Sequence, residues 1–290
     1  MKNDIFNFRR FGRYFVSDLK TCSANFGLSL FVTCISATLL VYALTVFFNL
    51  LTDNGWAGPE LPIRMAAFFI MFVVIILNSP SKCYGSITDK QYGSFWLTLP
   101  ASRLEKFVSM VLISAVIIPV GALAIFLGID ALTCWIDPTC GQSVASSIGH
   151  VASQIVSFDI SEAISDEIPA EVTRFIDQLS NPWLYMDDFF GMTLPFLLGA
   201  LVFKKSKAAK TILALMVVSA AVSVIAAPIT SIWGKNLIAT IEIAEGNVGI
   251  SELFNSWIFR NIALLDALSD TIVNVGLLTA IYFRIKTLNH

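Results

Sequence analysis

Four stretches of the chain, Phe26 to Leu51, Ile63 to Ser79, Phe107 to Ile129 and Thr211 to Trp233, approach or exceed the roughly 20 apolar residues a helix needs to cross a hydrocarbon core. In lipid every backbone N–H and C=O must find its partner within the segment or a closed barrel, so runs of this length read as helices. Two weaker runs have the same length: Trp183 to Phe203, with Asp187 and Asp188 near its start, and Ile262 to Tyr282, with Asp266 and Asp270. With 56% hydrophobic and 14% charged residues, the chain is far from the composition of a soluble domain, of which about a quarter is charged. One soluble core of this size has no room for that much apolar surface, 23 phenylalanines included.

Charge placement decides whether the weaker runs count. With six spans and a cytoplasmic N-terminus, 15 of the 19 basic residues fall on the cytoplasmic side: Lys2, Arg9, Arg10, Arg13, Lys20, Lys82, Lys90, Arg103, Lys106, Lys204, Lys205, Lys207, Lys210, Arg284 and Lys286. Only Arg64, Arg174, Lys235 and Arg260 fall outside. Removing either weak run would put the KKSKAAK cluster or the Arg284–Lys286 pair on the wrong side of the membrane, so the positive-inside rule supports both. The net charge of −2 says little beside this distribution.

Residues 1–25 predict a cytoplasmic amphipathic helix, with Ile5, Phe8, Phe11, Phe15, Val16 and Leu19 on one face and Arg9, Arg10, Arg13 and Lys20 on another. Such a helix lies in the headgroup layer, where it meets membrane lipids; docking on a soluble partner is its alternative. The mixed charges of this segment, and the length of the apolar run behind it, do not fit a cleaved signal peptide. The fold class expected is therefore an all-α integral membrane protein: six transmembrane helices, an N-terminal interfacial helix and a small helical extracytoplasmic cap. Residues 26–133 hold spans one to three with a cytoplasmic loop at 80–106, and residues 134–182 form the cap, where Ile160, Ile164, Ile168, Val172, Ile176 and Leu179 stand at helical spacing. Residues 183–290 hold spans four to six, with an outer re-entrant segment at 235–260 around Gly246 and Gly249.

The five cysteines lack paired C-x-x-C spacing, so no metal site is expected. Cys134 and Cys140 bracket CWIDPTC in an outer loop, a candidate disulfide in an oxidising compartment or else two free thiols. Asp266 and Asp270 stand one helical turn apart, and by helical rise Asp270 lies about 12 Å into span six. They are candidates to line a cavity or gate, because an acid deep in a span costs on the order of 3 kcal/mol; a later start of the span would leave both at the interface. Asp187 and Asp188 read as surface acids. The chain has two histidines, His150 and His290, and neither H-E-x-x-H nor G-x-S-x-G, so no catalytic set is expected.

The loop SKCYGSITDKQYGSFWLTLPASRLEKF carries the most specific pattern. In it Lys90, Gln91, Tyr92, Gly93 and Ser94 precede an apolar run, and Leu99, Pro100, Ser102, Arg103 and Lys106 lead into the next span. This order resembles the type-2 ABC transporter permeases, the membrane subunits of bacterial ABC exporters. The resemblance covers about 17 residues, together with the elbow-like first helix and the six spans; it departs where the family often has an acidic residue near Gln91, and in the longer loop after span three. It implies that this loop is a coupling element inserted into a separate P-loop ATPase subunit, that a homodimer or heterodimer with a second permease encloses the path, and that the chain lies in the bacterial inner membrane with both termini cytoplasmic. No G-x-x-x-x-G-K-S/T occurs in the chain, so ATP would act through the partner, and the chain itself would be neither an enzyme nor a holder of any cofactor or nucleic acid. Gly93 as a breaker and Pro100 as a stop would bound a helical piece near Ser94 to Leu99. The alternative function is a non-transporting membrane scaffold or sensor.

Overall fold

Phe8–Cys22 forms α1, whose first turn is closed by Asn7: its Oδ1 accepts from the backbone N–H of Arg9 at 3.0 Å and of Arg10 at 3.4 Å. The computed structural model describes residues 6–52, 55–147, 182–243 and 262–287, and every regular element among them is helical. Behind α1 the chain does not break. A π turn at Ser23–Gly27 carries it into α2, Leu28–Leu51, so the expected boundary at residues 25 and 26 falls inside one helical run of 44 residues.

Helix α3, Leu61–Tyr84, starts with a proline in its first turn, where a missing N–H costs nothing, and runs past the expected end at Ser79. A 3₁₀ turn at Gly85–Thr88 leads into the short α4, Lys90–Thr98. Helix α5, Arg103–Leu112, continues through a second π turn, Ile113–Ile117, into α6, Ile118–Ile136. Cys134, expected in a loop, is therefore in the last turn of α6. Helices α7, Pro182–Val202, α8, Lys207–Ile243, and α9, Ile262–Thr287, complete the described chain.

Among the described residues, five runs are long and apolar enough to cross a membrane: Phe8–Leu51, Leu61–Thr88, Arg103–Ile136, Lys207–Ile225 and Ala267–Thr287. The protein is thus a helical membrane protein in its coarse architecture. Helix α8 corrects one expectation, since residues 235–243, assigned to a re-entrant segment, continue the helix that precedes them. The rest of that segment, residues 244–260, and most of the expected cap, residues 148–181 with its isoleucine stripe, lie outside the described residues.

The chain divides into two compact units. The first comprises Met1–Gln154, Met192–Ala208 and Leu277–His290. Its centre is the packing of α2, α3 and α6, where Phe68 stacks on Phe126 with ring centroids 4.2 Å apart above buried Met71, Phe72 and Ile75. Leu197, Leu201, Ile281 and Ile285 are fully buried in the same unit. Its outward surface is apolar along α2, with Leu39, Leu40, Phe47 and Phe48 exposed, as a lipid-facing helix requires. The second unit comprises Ile155–Gly191 and Ala209–Gly276. There α8 exposes Met216, Val217, Val224 and Ile225, while Gly191 lies against the side chain of buried Asn274.

Candidate functional site

Helix α4 is short, polar at its start, and pinned from behind by one aromatic residue. Trp96 is buried, and its Nε1 donates to Tyr14 Oη of α1 at 3.1 Å. Its carbonyl, one of those a helix C-terminus leaves without an intrahelical donor, accepts from Lys106 Nζ of α5 at 2.7 Å. The same ammonium stands 4.8 Å from the centroid of the indole ring, so one lysine supplies both a hydrogen bond and a cation–π contact. The opposite side of α4 is open: Ser94, Phe95 and Thr98 are exposed, Phe95 by 62%. An exposed phenylalanine on a braced helix is a rigid apolar probe.

The brace is organised by Glu105, whose carboxylate is fully buried. Ser102 and Glu105 form a capping box that starts α5: Ser102 Oγ accepts from Glu105 N at 3.1 Å, and Glu105 Oε2 accepts from Ser102 N at 2.9 Å. The same carboxylate accepts from Asn7 N at 2.8 Å and from Arg10 Nε and Nη2, each at 2.8 Å. One residue thereby joins the N-termini of α1 and α5. Further along, Asp18 accepts from Ser109 Oγ at 2.6 Å and from Tyr84 Oη at 3.2 Å, and Cys22 of α1 is bonded to Cys83 of α3.

The turn before α4 is held as well. Lys207 Nζ donates to the carbonyl of Gly85, and to Thr88 Oγ1 at 2.8 Å. The approach is close, since a Cβ at Gly85 would stand 3.0 Å from Lys207 Nζ and 3.3 Å from its Cδ, so the lysine chain would have to shift. Arg103 Nη1 donates to the carbonyl of Lys286 at 3.0 Å, and Arg284 Nε to that of Leu201 at 3.2 Å, so the ends of α7 and α9 tie into the same face.

The ten residues of the sequence pattern have different roles. Lys90, Gln91 and Tyr92 form the first turn of α4, and their side chains lie outside the description. Gly93 corrects the expectation of a breaker: it is buried inside the helix, and its N–H donates to the Asp89 carbonyl at 2.8 Å. Ser94 is exposed, Leu99 and Pro100 form the turn that ends α4, Ser102 caps α5, Arg103 reaches Lys286, and Lys106 is buried against Trp96. Of the acids in the later spans, Asp270 is half-buried in α9, whereas the side chains of Asp266, Asp187 and Asp188 lie outside the description.

A second polar centre, not anticipated as a unit, occupies the other end of the α2, α3 and α6 packing. Arg64 is 4% exposed and Asp130 fully buried, with Arg64 Nη1 donating to Asp130 Oδ1 at 2.8 Å. The guanidinium also donates to Cys134 Sγ at 2.6 Å, to the Cys140 carbonyl at 3.0 Å and to the Gln142 carbonyl at 2.7 Å. Asp130 Oδ2 in turn accepts from Val144 N at 2.6 Å. Gly141, with φ of 72°, turns the chain between the two acceptor carbonyls in a conformation that a side chain rarely adopts. Beside this pair, Asp137 accepts from Tyr42 Oη, from Trp56 Nε1 at 3.0 Å and from Thr139. These bonds, that from Tyr42 first, hold the Asp137 carboxyl well below the usual carboxylate range. Cys134 and Cys140, the candidate disulfide, are thiols here, the first engaged by Arg64; burial is the first cause that pushes the Cys140 thiol up to about 11. No cluster of three or more metal-ligating side chains occurs among the described residues. No family model, no curated protein and no solved structure matches the chain.

Proposed function

We propose that this chain is the membrane-spanning subunit of an ATP-driven exporter, and that α4 is the element through which a separate ATPase subunit acts on it. The observation that carries the reading is the build of α4: a nine-residue helix between two long apolar runs, braced by Tyr14 and Lys106, with Phe95 exposed. A coupling element must be rigid toward its own protein and accessible to its partner, and α4 meets both conditions. In this reading six helices cross the inner membrane and both termini are cytoplasmic. A second permease completes the path. Motion imposed on α4 passes through Lys106 into α5 and α6, and through the Gly85–Thr88 turn to Lys207 at the start of α8. The paired contacts at these points, rather than the exposed residues, carry the displacement.

The test is a photo-crosslinking residue at position 95 in the full-length protein in its native membrane, with one at exposed Leu213 of α8 as the lipid-facing control. The expected product is a crosslink from position 95 alone to a chain that binds ATP through a P-loop, whose ATPase activity in the purified complex falls when Phe95 is replaced by Asp. Burying one Phe side chain is worth about 1.5–3 kcal/mol, so Phe95→Ala should weaken the complex roughly 10- to 150-fold. A stable, abundant protein that crosslinks to no ATPase from position 95 would remove the exporter reading and leave the scaffold or sensor.

A further inference from the structure

We propose that the cleft between α1 and the turn at Leu99 and Pro100 is a binding site for the phosphate of an anionic membrane lipid. The cleft measures about 490 Å³, within the roughly 300–1,000 Å³ of small-molecule sites, and is lined by Arg9, Arg10, Arg13 and Ser17 of α1 opposite Leu99 and Pro100. The charges on its arginine wall are not equivalent. Arg10 is spent on Glu105, whereas Arg9 and Arg13, four residues apart on one helical face, have no acidic partner among the described residues. No acidic side chain lines the cleft. Two uncompensated guanidiniums beside a third that is held in place favour a doubly hydrogen-bonded oxyanion, the geometry in which arginine exceeds lysine.

The depth of the cleft selects a lipid as the source of that phosphate. Arg10 meets Glu105 and Asp18 meets Ser109, so α1 runs beside the first turns of α5. The apolar run of α5 and α6 starts at Phe107, two residues after Glu105, which puts the cleft at the level of the headgroups. Leu99 and Pro100 then supply an apolar wall on the side opposite the charges. The inference rests on the membrane reading of these helices and not on the presence of an ATPase partner.

The experiment is native mass spectrometry of the full-length protein in detergent, titrated with phosphatidylglycerol or phosphatidylcholine, comparing wild type with Arg9→Gln/Arg13→Gln and with Lys20→Gln. Lys20 is exposed on α1 but outside the cleft. Wild type and Lys20→Gln should retain phosphatidylglycerol at least ten-fold better than phosphatidylcholine, and the double variant should lose that preference. Equal retention of both lipids by wild type, or an unchanged preference in the double variant, would overturn the proposal. Displacement of the bound lipid by millimolar inorganic phosphate would overturn the lipid as source. A double variant that keeps its lipid but no longer co-purifies with the ATPase would assign the cleft to the protein partner instead, and also overturn it.

Discussion

Replacing Arg64 by Leu removes the cation from a centre in which its partner stays behind. Asp130 is fully buried and keeps the backbone N–H of Val144 as a donor, while the carbonyls of Cys140 and Gln142 each lose a donor. Breaking a buried ion pair from one side costs about 3–5 kcal/mol, because an uncompensated charge is left in a poorly polarisable site. At about 2–4 °C per kcal/mol for a chain of this order of size, Arg64→Leu should lower the midpoint of thermal unfolding by roughly 6–20 °C. Asp130→Leu should cost a similar amount by stranding the guanidinium. The double variant Arg64→Leu/Asp130→Leu strands no charge; its cost is limited to three orphaned backbone groups at about 1 kcal/mol each. The two substitutions should therefore couple by at least about 2 kcal/mol in a double-mutant cycle. The assay is the thermal loss of the monodisperse peak of a fluorescent fusion in detergent. An Arg64→Leu protein within about 2 °C of wild type, or a double variant as unstable as the sum of the singles, would refute the argument.

Three further outcomes follow from particular contacts. Glu105→Ala should cost about 2–4 kcal/mol, since it removes the capping box of α5 and the acceptor of Asn7 N and Arg10 together; thermal stability measured beside Ser102→Ala, which loses the cap alone, separates the two contributions. In protein oxidised after purification, since the proposed topology puts Cys22 and Cys83 on the reducing cytoplasmic side, maleimide counting on the denatured, unreduced chain should find Cys34, Cys134 and Cys140, and reduction should add Cys22 and Cys83. Asp137, whose folded pKa is depressed, contributes stability that is fully present above its unfolded value of about 4 and is lost as pH falls below it. Between about pH 5 and pH 3, the window around that unfolded value, wild type should lose more stability than Asp137→Asn, measured by the same thermal assay.

The long helices were legible because lipid leaves a chain few choices: an apolar run of sufficient length must close its own hydrogen bonds. The start of α5 was legible too, since Ser102-x-x-Glu105 before an apolar run is a local signal. What could not be read is every contact whose partner is distant in sequence. Lys106 looked like one more cytoplasmic cation; its acceptor is a carbonyl ten residues back, brought near by the turn at Leu99 and Pro100. Arg64 and Asp130 are 66 residues apart, and each by itself resembles a charge at the end of a span. Gly93 was misread because glycine as a breaker is a statistical tendency, whereas here the missing side chain suits a buried position inside α4. The cysteines paired across α1 and α3 because those helices lie side by side, not because of proximity along the chain.

The carboxylate of Glu105 also sets an order of events in biogenesis. Helix α1 leaves the ribosome first, yet the acceptor for its Asn7 amide and Arg10 guanidinium is synthesised 98 and 95 residues later. At about 5–20 residues per second that is a delay of roughly 5–20 s, during which the Asn7 amide and the Arg10 guanidinium wait without their carboxylate. The emergence of α5 is the moment at which the N-terminus of α1 is locked and α4, already within reach of Tyr14 through Trp96, gains Lys106 as its second support.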